Sequence, residues 1–257
     1  TFPLRLYRSK SLGHGQLDYV VPGEDVYYPE YPYRPGITKE VIEHHSKRAD
    51  QAIKRFNINT NSLIVDIGST DGTLLNEYKI RDMRVLGIEP TNTGDFARER
   101  GIDTIQEFFT EDLGKQISSD YGKAKLVTAT NVFAHMATMG EVIRGILNIL
   151  DNDGVFIFEN HYIIDILKGN QYDTVYHEHI RSYSLKSIIY LFEMYGMKVI
   201  EAEVVERYGG TIRVAVSRDI NAKVSNSIDR LLSYEKSFGL FEDNVWEKFR
   251  QNTIKSK

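Results

Sequence analysis

Short apolar segments alternate with helical patterns along the middle of the chain, and this alternation limits the fold more than any other feature. Four segments rich in Val and Ile have the length of buried strands: SLIVDIG (62–68), RVLGIEP (84–90), KLVTATN (125–131) and GVFIFEN (154–160). Helical spacing of apolar residues fills the regions between them, near 73–79, 94–100, 111–119 and 140–150. Such alternation predicts βαβ units and a parallel sheet with both faces covered.

The segments before this region predict an arm and a first helix. Residues 1–36 are rich in Tyr, Pro and Gly and predict an irregular arm with one short strand. TKEVIEHHSKRADQAIKRF (38–56) has helical spacing, with Thr38 as its N-cap. We expect His44 and His45 to lie on the surface of this helix.

The second half of the chain predicts an insertion, a hairpin and a helical tail. Residues 161–184 predict a long polar insertion, and SLKSIIYLFEMYG (184–196) predicts a helix that ends at Gly196. MKVIEAEVVE (197–206) and TIRVAVS (211–217) predict a hairpin that closes the sheet. Residues 222–256 predict an amphipathic helix. Three regions follow: an arm (1–37), a catalytic domain (38–218) and a helical tail (219–257).

Composition excludes several classes of protein. The chain has 257 residues, enough for one large domain, and its net charge of −4 argues against a nucleic-acid partner. It contains no cysteine, which excludes disulfides and thiolate metal sites and fits a cytoplasmic, reducing location. No apolar run is long enough to span a membrane, and no signal-peptide pattern opens the given sequence. The first residue is Thr1 rather than Met, which is compatible with a piece of a longer polypeptide.

A glycine motif predicts a nucleoside cofactor. VDIGSTDGTLL (65–75) follows the first strand and opens a helix, with Asp66, Gly68 and Gly72 in the pattern D-x-G-x-x-x-G. The glycines allow the backbone to approach a ligand, and the helix start offers free N–H groups. The spacing differs from the dinucleotide motif G-x-G-x-x-G. Glu89 ends the second strand, where a carboxylate suits the two hydroxyls of a ribose.

These features resemble those of the class I S-adenosylmethionine-dependent methyltransferases. The resemblance implies an α/β fold with a Rossmann-like seven-stranded sheet whose last strand is antiparallel, and S-adenosylmethionine as the cofactor. It implies that Asp66, Gly68 and Gly72 line the methionine side and that Glu89 holds the ribose. It further implies contacts to the cofactor from the residues Phe108 and Phe109 (beside the adenine) and Asn131 (below the sulfur, near VFAH at 132–135). Core packing is the alternative for the two phenylalanines.

A closer resemblance comes from five blocks in a fixed order. These are DIGSTDGTLL, NVFAHM, FENHYIIDIL, YDTVYHEHIRSYSL and RYGGTIRV. They resemble blocks of the sugar C-methyltransferases, which act on nucleotide-linked 4-keto-deoxysugars. The resemblance implies C-methylation of a small-molecule acceptor. That acceptor would be a keto-sugar, a sugar nucleotide or a related carbonyl compound. Membrane and nucleic-acid partners are not expected.

The YHEH block explains why titratable side chains crowd into the insertion. Forming a C–C bond to a methyl group requires a carbanion or enolate, so a base must remove a proton next to a ketone. Histidine suits this role because its ordinary pKa is about 6.5. The resemblance implies His179 as the base, Tyr176 and Glu178 as orienting groups and His177 as support. Chemistry alone does not separate the two histidines, although we expect a bend at 176–179.

Other roles for this block remain open. His-x-His occurs in metal sites, but the chain offers no cysteine and no clear spacing for a third ligand, so we expect no metal. A solvated loop is the other alternative. Glu159, at the end of its strand, is a substrate-binding candidate, and a better one than His161.

The proline-rich arm VYYPEYPYRPG (26–36) supplies further candidates. By resemblance, Tyr31 and Tyr33 lie over the active site and contact the acceptor. A strap that only stabilises the domain is the alternative.

Two departures from the resembling family weaken the assignment of a substrate. That family carries an N-terminal zinc module built on Cys-x-x-Cys, whereas here Ser9 and Leu12 take the cysteine positions, which excludes zinc there. The family also has a second α/β region that binds the substrate nucleotide, and that region would begin near the end of this chain.

Two alternatives remain open. One is O-methylation with the same histidine as base. The other is a degenerate domain that binds the cofactor without turnover.

Overall fold

The computed structural model describes residues 2–29, 38–207 and 209–256. The chain divides into two compact units. The internal unit comprises Glu24–Thr130 and Thr138–Ile157, and the terminal unit comprises Thr1–Gly23, Asn131–Ala137 and Phe158–Lys257. No described helix combines the length and apolar character that crossing a bilayer requires.

Strands and helices alternate as the sequence predicts. The described strands are β1 (Leu6–Arg8), β2 (Gly15–Leu17), β3 (Leu63–Ile67), β4 (Arg84–Ile88), β5 (Thr104–Ile105), β6 (Ala124–Thr130), β7 (Leu150–His161), β8 (Arg181–Ser182), β9 (Lys198–Val205) and β10 (Thr211–Ser217). The described α-helices are α1 (Gly23–Val26), α2 (Lys39–Arg55), α3 (Thr73–Lys79), α4 (Thr93–Glu99), α5 (Glu111–Asp120), α6 (Met139–Ile149), α7 (Ile163–Gly169), α8 (Leu185–Glu193), α9 (Ser227–Ser237) and α10 (Asp243–Lys255).

The predicted seven-stranded sheet is confirmed. Its order is β5-β4-β3-β6-β7-β10-β9. β3 pairs in parallel with both β4 and β6, whereas β9 and β10 form the predicted antiparallel hairpin. All five residues of β3 are buried, as expected for a strand covered on both faces. The fold is therefore the α/β, Rossmann-like fold that the alternation indicated.

The predicted helix at 38–56 forms as α2, but the prediction that His45 lies on its surface is wrong. Thr38 is the N-cap. The buried residues of α2 are His45, Arg48, Ala49 and Ala52. They are spaced i, i+3, i+4 and i+7, which is one face of a helix. The helical spacing of the sequence therefore already indicated that His45 lies on the buried face.

Three other predictions need correction. The arm contains two strands, β1 and β2, which form a small sheet with β8. The segment at 161–184 is not wholly polar, because α7 buries Ile163, Ile164, Ile166 and Leu167. The tail contains two helices, since the chain turns after α9 at Gly239, whose φ of +79° lies in the left-handed region.

Aromatic side chains form the core of the terminal unit. The ring of Phe133 lies 4.7 Å from that of Phe158 and 5.7 Å from that of Phe192. Phe192 belongs to α8, which starts with a capping box: the Ser184 hydroxyl accepts a hydrogen bond from the Ser187 N–H, and the Ser187 hydroxyl accepts one from the Ser184 N–H. This cap fixes the start of α8, which follows the YHEH block (176–179) and the short strand β8.

Helices α5 and α6 cross with backbone in contact. A Cβ atom added to Gly145 would lie 2.7 Å from the Thr110 carbonyl oxygen and 2.9 Å from a ring carbon of Phe109. A Cβ at Gly114 would lie 2.6 Å from the Gly145 carbonyl oxygen. Both contacts are closer than van der Waals distance, so each position requires glycine.

We expect Gly145→Val to lower the free energy of unfolding by about 1–3 kcal/mol, the usual cost of overpacking. The side chain would push α6 away from the backbone at Thr110. Urea or thermal unfolding of the purified protein measures the effect. Gln116→Val is the control, because it places the same side chain at an exposed position of α5. Equal losses from the two variants would contradict the close crossing.

Candidate active site

The loop after β3 is bound to the end of β4. The N–H groups of Gly68 and Ser69 both donate to the Ile88 carbonyl oxygen, at 2.8 and 3.1 Å. Gly68 has φ of +72°, and Thr70 has φ of +48° although it is not glycine. A left-handed Thr is uncommon, and such strain is frequent at ligand-binding loops. The loop that the sequence singled out therefore has a defined and strained conformation.

Asp66 is a buried carboxyl at the end of β3. It is 4% exposed, and the Thr128 hydroxyl donates a 2.6 Å hydrogen bond to its Oδ1. Burial raises the pKa of Asp66 to about 7, and the negative charge of Glu89 adds to the rise, whereas the Thr128 hydrogen bond and the Arg48 charge oppose it. Arg48 is buried on α2 and donates to the Thr130 hydroxyl at 3.1 Å.

Glu89 holds two loops of the internal unit together. Its Oε2 accepts from the Thr70 N–H at 3.0 Å. Its Oε1 accepts from the N–H and the hydroxyl of Thr91, at 2.9 and 2.7 Å. An ionised carboxylate has about four acceptor sites, so these three bonds leave capacity for a further donor. Glu89 thus links the strained loop after β3 to the segment after β4.

The structure changes the explanation for Gly72. Its φ is +71°, and a Cβ there would lie 2.8 Å from the Ala97 Cβ and 2.9 Å from the Ile102 Cδ1. Packing against these two residues accounts for the glycine without a ligand. The first N–H of α3 is not free either, since Thr73 donates to the Asp71 carboxylate at 3.2 Å.

The two predicted adenine contacts have different surroundings. Phe109 is 8% exposed and packs against Gly145 of α6, so for this residue core packing replaces the predicted contact with the cofactor. Phe108 is 40% exposed and remains available to a ligand.

Two predicted residues lie close together in the terminal unit, at Asn131 and Glu159. The Asn131 N–H donates to the Glu159 carbonyl oxygen at 2.9 Å. The Asn131 Oδ1 is buried and accepts no hydrogen bond within the described residues. The Glu159 carboxylate is 2% exposed and pairs with the Arg213 guanidinium at 2.5 Å. Arg213 compensates the charge of Glu159, and a contact of Glu159 with the acceptor stays a prediction.

Histidine rings from three segments meet in the terminal unit. The His179 ring lies 5.0 Å from the ring of His135 and 4.5 Å from that of His161. The Tyr176 ring lies 4.3 Å from His179. We call these four residues the histidine cluster. The sequence predicted His179 and Tyr176 for the site, mentioned His135 only within the VFAH segment and ranked His161 below Glu159.

Hydrogen bonds fix the tautomer of His179. Its Nδ1 lies 2.7 Å from the Thr174 carbonyl oxygen, which can only accept, so Nδ1 carries the proton. The neutral ring then has its lone pair on Nε2, which lies 3.2 Å from the Tyr176 hydroxyl. Burial lowers the pKa of His179, and the Thr174 carbonyl and the Glu178 charge oppose this effect. His179 is thus a neutral imidazole with a defined basic nitrogen.

The other two histidines are also neutral. Burial, with a smaller contribution from positive charge on His179 and His161, lowers the pKa of His135 to about 3. Burial, with a smaller contribution from charge on His179, lowers the pKa of His161 to about 4. A positive charge on one ring therefore disfavours a positive charge on its neighbours, and His135 and His161 are poorly suited to take up a proton.

The predicted bend at 176–179 separates His177 from His179. The His179 N–H donates to the Tyr176 carbonyl oxygen at 2.9 Å, which closes a turn. The His177 Nε2 lies 3.1 Å from the Pro3 carbonyl oxygen, and its ring lies 6.0 Å from that of Phe2. His177 therefore contacts the N-terminal segment and does not join the cluster. Glu178 acts on the cluster through its charge.

The remaining predictions concern the arm and metals. Tyr31 and Tyr33 lie outside the described residues. No group of three or more His, Cys, Asp or Glu side chains within 2–29, 38–207 and 209–256 is arranged to hold a metal ion.

Comparisons with known proteins indicate the family to which the chain belongs. Residues 41–202 match the family described as methyltransferase domain. The C-methyltransferase NovU of Streptomyces niveus is 32% identical over 227 residues, which are 88% of this chain and 54% of NovU. The chain thus spans about half the length of that relative.

Solved structures with low sequence identity share the fold. A SAM-dependent methyltransferase from Anabaena variabilis ATCC 29413 is 13% identical, with a TM-score of 0.53, over 68% of this chain and 84% of that one. Magnesium protoporphyrin IX methyltransferase from Synechocystis PCC 6803, solved with bound SAH, is 11% identical, with a TM-score of 0.53, over 68% of this chain and 82% of that one.

Proposed function

This chain belongs to the family of S-adenosylmethionine-dependent methyltransferases, and from that premise we propose that it methylates a carbon atom of a small carbonyl acceptor, a keto-sugar or sugar nucleotide. The similarity to a C-methyltransferase supports transfer to carbon. The resemblance of the YHEH block to sugar C-methyltransferases supports the keto-sugar. The observation that carries the proposal is the lone pair on His179 Nε2 beside the Tyr176 hydroxyl.

The residues of the internal unit fit the cofactor. S-adenosylmethionine supplies an activated methyl group. Glu89, at the end of β4, has acceptor capacity left for a ribose hydroxyl. Asp66 adds a second buried carboxyl at the end of β3, and Phe108 is exposed for contact with the adenine. The contact between Asn131 and the cofactor stays a prediction of the resemblance.

His179 is the proposed base. Its Nε2 removes a proton from the carbon next to the acceptor's carbonyl group, and the electron pair of the C–H bond moves into an enolate. The ring becomes an imidazolium, which the hydrogen bond from Nδ1 to the Thr174 carbonyl and the charge of Glu178 stabilise. The enolate carbon would then bond to the methyl group that S-adenosylmethionine supplies when bound, the bond from that methyl group to sulfur would break to leave S-adenosylhomocysteine, and the imidazolium would release its proton to water.

Tyr176 is the proposed hydrogen-bond donor that stabilises the enolate oxygen. Its hydroxyl donates to His179 Nε2 before reaction and must release that atom for proton transfer. The carbonyl oxygen of the acceptor is the alternative partner, and its negative charge grows as the enolate forms. Burial and the Glu178 charge raise the pKa of Tyr176, so the hydroxyl stays protonated at neutral pH. It can therefore donate a hydrogen bond to the enolate oxygen.

Product analysis tests the proposal. The full chain is incubated with S-adenosylmethionine that carries a ¹³C-labelled methyl group and with a nucleotide-linked 4-keto-deoxysugar. We expect the labelled carbon to show NMR correlations of a methyl group bonded to carbon. A label bonded to oxygen would overturn C-methylation and favour the O-methyltransferase alternative.

The Glu178 charge gives a prediction for pH dependence. The base must be unprotonated, so kcat/KM rises with pH through the pKa of His179, which lies below its ordinary value of 6.5. Because Glu178 raises that pKa, Glu178→Gln is expected to move the acid limb to lower pH. A pH profile of kcat/KM measures the shift. Asp173→Asn, at an exposed position nearby, is the control and should leave the limb unchanged; a limb that moves upward in Glu178→Gln would contradict the assignment.

A further inference from the structure

His161 occupies a fixed place in the histidine cluster, and the proposed reaction leaves it without a role. It is the last residue of β7, and its ring lies 4.5 Å from the His179 ring with 53° between the ring planes. The ring is partly buried. At this distance from the base, the imidazole lies within reach of a small molecule that binds at His179.

The backbone around His161 is held from both sides. Tyr162 is fully buried, and its hydroxyl donates to Glu235 at 3.1 Å. Its N–H donates to the Gly210 carbonyl oxygen at 3.3 Å, and the N–H of Ile163 donates to the Tyr183 carbonyl oxygen at 3.0 Å. These bonds fix the backbone position from which the His161 side chain extends. A residue that recognises a ligand requires such a fixed position.

The ring nitrogens of His161 make no hydrogen bond within the part of the chain that the structure describes. His179 differs, since both of its nitrogens have partners. A polar ring beside the base therefore retains one donor and one acceptor, which are unused by the protein.

The surroundings of His161 keep it neutral. Burial lowers its pKa to about 4. The titratable groups of the cluster are His135, His179 and Tyr176, with the charge of Glu178 acting on the last two. Once His179 takes the acceptor's proton, its charge disfavours a second proton on His161. His161 is thus suited to hydrogen bonding and not to a second proton transfer.

We propose that His161 is a specificity-determining residue that hydrogen-bonds a hydroxyl group of the acceptor, on or next to the carbon from which His179 removes the proton. This inference rests on the proposed function. It predicts that the protein distinguishes a keto-sugar with that hydroxyl from the matching deoxy compound. Loss of one neutral hydrogen bond corresponds to a factor of about 2–13 in affinity.

Binding measurements test the inference without turnover. The full chain is saturated with S-adenosylhomocysteine, which has no methyl group to transfer, and the acceptor and its deoxy analogue are titrated by calorimetry. The wild type should bind the hydroxylated acceptor about tenfold more tightly. His161→Phe keeps a flat ring but removes both polar atoms, and it should bind the two acceptors equally. His161→Gln keeps a donor and an acceptor and should restore part of the preference.

Two results would overturn the role of His161: an unchanged preference in His161→Phe, or an equal loss of affinity for both acceptors. Circular dichroism and unfolding midpoints of each variant identify loss of fold, and His161→Leu, which also lacks both polar atoms, replaces the Phe variant if that variant is unfolded. Failure of the proposed function has a different signature, namely a wild type that binds the acceptor with the expected preference but transfers its methyl group to oxygen.

Discussion

His179→Asn is expected to lower the rate of methyl transfer by about 10²–10⁴-fold, the usual effect of removing a general base. The Asn amide can replace Nδ1 as donor to the Thr174 carbonyl, so the turn at 176–179 should persist. What the variant loses is Nε2, the atom with the lone pair. Formation of S-adenosylhomocysteine under saturating cofactor gives the rate, and calorimetry with S-adenosylmethionine should show near-normal affinity.

His177→Asn is the matched control. It makes the same change two residues away, at a ring that contacts Phe2 and Pro3 and not the cluster. Its rate should remain within about threefold of the wild type, since loss of a surface contact changes the free energy by about 0.5 kcal/mol or less. A large loss in His177→Asn, with His179→Asn near normal, would move the base to His177.

Glu89→Ala is expected to weaken the binding of S-adenosylmethionine by about 10–100-fold, since hydrogen bonds to charged groups are each worth about 1.5–3 kcal/mol. The change removes the acceptor proposed for the ribose. It also frees the Thr70 N–H and the Thr91 hydroxyl, which hold the loops after β3 and β4. Calorimetry measures the affinity, and saturating cofactor should restore most of the rate because Glu89 takes no part in proton transfer.

Glu99→Ala controls for the loss of a negative charge. Glu99 is an exposed residue at the end of α4 in the same unit, and its removal should leave the affinity unchanged. Unfolding curves of Glu89→Ala check that the two loops remain ordered. If Glu89→Ala binds the cofactor as tightly as Glu99→Ala does, the assignment of the ribose contact is wrong.

The sheet could be predicted from the sequence because burial dictates its pattern. A strand covered on both faces is apolar along most of its length, and SLIVDIG shows this, with Asp66 as the exception. The hairpin of β9 and β10 could be predicted because two β-branched segments flank the short RYGG connection. The start of α8 was marked by Ser184, whose hydroxyl caps the helix.

The histidine cluster could be predicted only in part, because ring contacts depend on how distant segments pack. His135 and His161 are far from His179 in sequence, and no local pattern joins them. A signal did exist: both follow or end strands of the sheet, β6 and β7, whose carboxyl ends are where ligands bind in such folds. His45 is buried because it lies on the same face of α2 as Ala49 and Ala52.

The separation of His177 from His179 also required the structure. An extended chain at 176–179 would place both histidines on one side. The hydrogen bond from the His179 N–H to the Tyr176 carbonyl closes a turn instead, and that turn brings Tyr176 and His179 together. Short polar segments such as YHEH carry no periodicity that distinguishes these conformations.

Exchange of the acceptor's carbon-bound hydrogen with solvent is the most direct test of the central claim, that His179 Nε2 creates a carbon nucleophile. The keto-sugar is incubated in deuterium oxide with the protein and S-adenosylhomocysteine, and NMR follows the hydrogen next to the ketone against a sample without protein. We expect the wild type to accelerate exchange at one carbon and His179→Asn to abolish the acceleration. Equal acceleration by His179→Asn, or none by a wild type that transfers methyl groups, would contradict the mechanism.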